Sequence, residues 1–124
     1  MAIRQDIDKA DGFFIDEDKA LSFEILDESE TPVDVSSWAL SWTVRRHLTS
    51  EAPAVALASG AGIAITGTYN VVRAVNTQRV IVTVADSDTG ALTAATYKHA
   101  LKRTDDGSET ILSFGDLVLQ KAAA

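Results

Sequence analysis

The sequence has no cysteine, which removes disulfide scaffolds, thiolate-bound zinc and thiol nucleophiles and leaves apolar burial to supply the stability. Histidine is nearly as scarce. His47 and His99 lie in separate segments with no carboxylate pattern beside them, so neither a metal site nor a nucleophile–base pair is built from them. Aromatic residues make up 6% of the chain, too few for an obvious platform on which a sugar ring or base could stack. No apolar run approaches the roughly 20 residues that span a bilayer. Asp6 stands where a secretory leader needs its apolar stretch, so export by that route is not expected. Positive charge is in deficit, 11 Lys and Arg against 18 Asp and Glu for a formal net charge of -7. Nucleic acid is a poor main partner for such a chain, because phosphate neutralisation needs clustered cations.

What is present is 124 residues, 46% of them hydrophobic. Area scaling leaves roughly 6,400 Å2 exposed out of roughly 19,000 Å2 for the extended chain, enough burial for one core and not for two. The apolar residues recur mostly with period two. Leu21, Phe23 and Ile25 alternate with Ser22 and Glu24, while Trp38, Leu40, Trp42 and Val44 share one strand face against Ser41, Thr43 and Arg45. A helix over the second stretch would group Trp38, Trp42 and Arg45, a poor apolar stripe, although Ser36-Ser37 suits an N-cap. Val55 and Leu57 alternate weakly in an Ala-rich stretch, and segment 53–61 is expected to order only within an assembly. Ile63 and Ile65 alternate again, Gly67 breaks the run, and Tyr69–Ala74 forms a further short apolar stretch. The β-branched run Val80-Ile81-Val82-Thr83-Val84 reads as a core strand. Tyr97, His99 and Leu101 alternate with Lys98, Ala100 and Lys102, Asp105-Asp106-Gly107 closes a hairpin, and Gly115 marks a bulge in the return strand.

Seven to nine short strands separated by turn residues form the pattern of an all-β sandwich of two antiparallel sheets. Its core is expected from Phe23, Trp38, Leu40, Trp42, Val44, Val82, Tyr97 and Leu101, with one inward face led by Trp42 and the other by Val82 and Tyr97. Tyr97, at the entrance to a strand five residues after Leu92, is placed either as a tyrosine corner or as an ordinary core tyrosine. Residues 1–12 read as an arm or edge strand, 13–121 as the sandwich and 122–124 as a frayed tail.

Little in the chain carries chemistry. His99 falls on the inward face between Tyr97 and Leu101, a satisfied buried histidine more than a base, and His47 follows Arg45-Arg46 as a solvated loop residue. Asp86-Ser87-Asp88-Thr89-Gly90 matches the first half of a calcium loop, but Tyr97 stands where the closing Glu belongs, and a plain Asp-rich turn is the simpler reading. The acidic groups Asp16-Glu17-Asp18 and Asp27-Glu28-Ser29-Glu30 sit on turns that do not hold them across a substrate. Gly60-Ala61-Gly62 lacks the third glycine and the helix of a phosphate-binding loop, and Arg45-Arg46 is too short for a nucleic-acid patch. No enzyme activity, cofactor or metal is expected.

The order of pieces nevertheless has a likeness. Thr31-Pro32-Val33-Asp34-Val35, the Trp38–Val44 strand, Gly62-Ile63-Ala64-Ile65, Val80–Val84, Thr89 through Leu92 to Ala95-Thr96-Tyr97, and Asp106-Gly107 with Ile111–Val118 follow one another over nearly the whole chain. This order resembles the immunoglobulin-like modules of tailed-phage structural proteins, in particular the N-terminal domain of upper baseplate proteins. Two departures stand out: Ala95 replaces the usual Gly, and Thr66–Gln78 is longer than the usual connection. The longer stretch, an extra hairpin or a protruding loop, is the first candidate for a partner contact through Tyr69, Val71 and Arg73.

The resemblance implies a virion protein made in the host cytoplasm, present in many copies or as a homo-oligomer in a symmetric tail, baseplate, neck or capsid-surface assembly. Its partners would be other phage structural proteins, with neither nucleic acid nor membrane involved. A carbohydrate-binding adhesion module is the alternative, and it requires exposed aromatics such as Tyr69.

Overall fold

A computed structural model describes residues 3–46 and 52–121. His47 and the tail at 122–124 lie outside the described residues. The strands are β1 (Ile3–Arg4), β2 (Lys19–Phe23), β3 (Leu40–Arg45), β4 (Val55–Ser59), β5 (Gly62–Thr66), β6 (Arg79–Val84), β7 (Ala95–Arg103) and β8 (Thr110–Leu119), with one short helix α1 (Asp86–Thr89). The chain is nearly all-β. Hydrogen bonds join the eight strands into one sheet in the order β1-β8-β7-β3-β4-β5-β6-β2.

That sheet is mixed and curled. Its long ladders are antiparallel, but β1 runs parallel to β8, and β4 and β5 are joined through the parallel pairs Ala58↔Gly62 and Ser59↔Ile63. The ladder therefore does not divide into two separate antiparallel sheets. The β4–β5 link is a corner in a continuous chain, turned by Gly60 and Gly62 with φ of 79° and 102°, values that cost a glycine little. Curling brings the far strand home: Phe23 on β2 places its ring 6.3 Å from that of His99 on β7, although four strands separate them in the ladder.

The core follows from period-two alternation on the strands that line the fold. β3 buries Leu40, Trp42 and Val44, pairs Trp42 with Leu101 of β7, and meets Val80, Val82, Val84 and Phe23 from β6 and β2 in one apolar cluster. Tyr97 belongs with Trp42, not with Val82, because β7 pairs with β3 and β8. The chain reaches β7 from β6 by crossing over through α1, where the Asp88 carboxylate accepts the Ala85 N–H at 2.8 Å. At that crossing the Tyr97 hydroxyl donates to the Thr93 carbonyl at 2.9 Å, the bond that defines a tyrosine corner.

Three local expectations change. Trp38 lies just before β3, half-buried, with the Arg103 guanidinium 4.0 Å from its ring centroid. Within segment 53–61, Val55–Ser59 forms β4, which pairs with β3 from Val44↔Val55 to Ser41↔Ala58. The register shift in the last hairpin falls at Leu112, between the pairs Leu101↔Ser113 and Lys102↔Ile111, whereas Gly115 stays in register opposite His99.

Candidate contact surface

Between β5 and β6 the chain leaves the sheet at Gly67 and returns at Gln78. Gly67 has φ of 79°, and a Cβ there would lie 2.0 Å from the Thr77 carbonyl oxygen, so only glycine closes the neck of this loop. Thr68 and Thr77 tie the neck: the Thr77 N–H donates to the Thr68 carbonyl at 3.1 Å, and the Thr68 N–H to the Thr77 hydroxyl at 2.9 Å.

Inside the loop the usual polarity is inverted. Asn76 and Gln78 are only 6% and 7% exposed, yet both are satisfied. The Asn76 amide oxygen accepts the Asn70 N–H at 3.0 Å, and its nitrogen donates to Glu24 at 3.2 Å. Gln78 accepts the Val35 N–H at 3.1 Å and donates to the Asp34 carboxylate at 3.0 Å. Those bonds hold Asp34 ionised: the Gln78 amide and then Ser36 draw its carboxyl below the ordinary value.

The apolar residues face the other way. Val71, Val72 and Val75 are 60%, 54% and 58% exposed, gathered by a turn in which the Val75 N–H donates to the Val72 carbonyl at 3.0 Å. Single exposed valines are ordinary, but three on one hydrogen-bonded turn form a patch. Covering each would contribute roughly 1 kcal/mol, about half the value of fully burying a valine.

Among the residues proposed from the sequence, only Val71 sits on this patch. Tyr69 anchors the loop: it is half-buried, and its hydroxyl donates to the Pro32 carbonyl at 3.1 Å. Arg73 is a brace between the valines, 3.4 Å from Glu24 and 3.8 Å from Glu30. Val72 and Val75 escaped the sequence reading. A signal existed in Asn70, Asn76 and Gln78, amide residues that bracket an apolar stretch lacking strand alternation.

The other candidate groups are engaged structurally. Asp86 accepts the neighbouring Ser87 N–H at 2.7 Å and Asp88 serves α1, so the acidic turn binds its own backbone. Among the described residues no three His, Asp or Glu side chains gather as metal ligands. No family model matches the chain, and no curated protein matches it.

Proposed function

We propose that this chain is a non-enzymatic building block of a tailed-phage virion, an immunoglobulin-like sandwich that docks onto other virion proteins through the Gly67–Gln78 loop. The observation that carries the docking is the loop's inverted polarity: buried, fully bonded amides hold three valines out to solvent. A free-standing domain gains nothing from that arrangement, whereas a partner surface does. The immunoglobulin-like reading is supported by the Tyr97–Thr93 corner and by the buried Trp42 on a central strand. The virion reading draws support from the order of sequence pieces that resembles phage baseplate modules. Repeated copies in a symmetric particle would multiply a weak contact into stable attachment.

The test uses particles from cells carrying the native chain or a Val71→Ser, Val72→Ser, Val75→Ser variant, followed by immunogold labelling and tomography. The native chain is expected at defined, repeated positions, and the variant is expected to fold with an unchanged melting curve yet be lost from particles. Absence of the native chain from particles removes the virion reading, and full incorporation of the variant removes the loop as the docking surface.

A further inference from the structure

The N-terminal segment lies along β8 as a strap, running parallel to it. The Gln5 N–H donates to the Phe114 carbonyl at 2.7 Å, the Ile7 N–H to Asp116 at 2.8 Å, the Val118 N–H back to Ile7 at 2.8 Å, and the Gln120 N–H to Phe13 at 2.9 Å. Ile7 and Phe13 of this segment are buried in the core. So close an approach needs Gly115, where a Cβ would stand 2.5 Å from the Gln5 carbonyl oxygen.

Behind the strap lies His99, fully buried and opposite Gly115 in the β7–β8 register. The Trp42 indole N–H, which can only donate, points at Nδ1 from 3.3 Å, so Nδ1 carries no proton. Nε2 stands 2.6 Å from the Gln5 carbonyl oxygen, which can only accept, so Nε2 carries it. The ring is neutral, and a second proton would set two donors against each other at the indole. Asp6 on the strap and Asp116 on β8 favour the cation, but Arg4 reaches both carboxylates, at 3.1 and 3.5 Å, and Lys98 also pairs with Asp116. From β2 and β3, Phe23 and Trp42 bring their rings to the imidazole and Val44 stands opposite it in the ladder, none of them charged. Burial dominates and holds the imidazole below the ordinary histidine value of 6.5.

We propose that His99 is the latch of a pH-sensitive strap: residues 3–15 lie closed over β8 while the imidazole is neutral, and proton uptake favours the state in which the strap lifts. The reason is linkage. The ring is shielded from water only with the strap closed, so the open state binds the proton more tightly and is populated by acid. Lifting uncovers the Phe114 and Asp116 carbonyls and the Val118 and Gln120 N–H groups, an edge that a strand from a neighbouring protein can pair with. One proton gives an opening constant that rises by up to about tenfold per pH unit below about 6.5.

Amide hydrogen exchange on the full chain between pH 7.5 and 5.5, corrected for the intrinsic pH dependence of exchange, reads this directly. Protection at Ile7, Val118 and Gln120 is expected to fall by up to about tenfold as the solution is acidified past about pH 6.5, through an opening that low concentrations of urea leave unchanged, while β3 and β6 amides keep a higher protection that falls steeply with urea. In a His99→Gln variant, which offers an acceptor and a donor but does not titrate, strap protection should not follow pH. The proposal is overturned by unchanged strap protection in the native chain, by strap amides that share the protection and urea dependence of the core, or by a response that survives in the variant. Should that variant not fold, a His47→Gln chain leaves one imidazole to titrate by NMR, and its midpoint must coincide with that of strap opening; separate midpoints overturn the latch.

Discussion

Ser113 shows how a single buried group can work against the fold. Its hydroxyl sits beside the β8 irregularity with no hydrogen-bond partner among the described residues. A buried polar atom left unpaired costs about 1–3 kcal/mol, so removing it relieves a penalty. Ser113→Ala is expected to raise stability by up to about 1 kcal/mol, because the methyl keeps most of the volume. A lowered urea midpoint with unchanged m-value would contradict this. Trp42 and His99 illustrate the opposite case, in which each buried polar atom meets a partner of the matching kind and the tautomer follows. From the sequence, His99 was recognisable as inward-facing by its alternation with Tyr97 and Leu101. Its two partners were not, since Gln5 and Trp42 lie far away along the chain.

At the level of elements, the Gly67–Gln78 loop stands on a neck that no other residue fits. Gly67→Ala is expected to cost several kcal/mol, since it combines a strained φ with a 2.0 Å approach to the Thr77 oxygen. The loss should appear as a lower melting temperature and as accelerated amide exchange at Asn70 and Val72, and a melting temperature equal to the parent's would show that the neck relaxes freely. The strands themselves were legible. Period-two burial in β3, β6 and β7 follows the alternation written in Trp42, Val82 and Leu101 and their neighbours. The loop's orientation was not, because Val71, Val72 and Val75 follow no period that says which side faces out, and the bonds of Asn76 and Gln78 decide it.

For the molecule as a whole, stability is set by one apolar cluster, and acid acts on it through identifiable groups. His99 is held below its usual pKa chiefly by burial, so its contribution is complete above pH 6.5 and is lost as the pH falls from there towards the folded-state value. Asp6, Asp34, Asp105 and Glu109 are drawn below 3.8, 3.8, 3.8 and 4.5 chiefly by hydrogen bonds, so theirs is lost only below the carboxylate range. Asp6, Asp34 and Glu109 are solvent-exposed and Asp105 is partly exposed, so water screens them, and the first loss on acidification belongs to His99. Urea unfolding across pH 8 to 4 is expected to give a plateau above about 6.5 and a decline below it. A flat profile down to pH 4.5 would mean that the imidazole titrates freely.

The alternation of branched and aromatic residues by itself determined an all-β chain, the location of most strands and most of the core, because side-chain period is a local property of extended backbone. Beyond the β7–β8 hairpin announced by Asp106-Gly107, only the tertiary structure decided which strands are neighbours. Tyr97 joins Trp42 because the chain crosses over at α1, and the Gly60–Gly62 corner carries one curled sheet around the core. It also decided the company that Gly115 keeps, a glycine whose missing side chain admits the N-terminal strap and so buries His99. Pairing across more than a hundred residues is settled by the shapes that meet there, and no short window of sequence contains both.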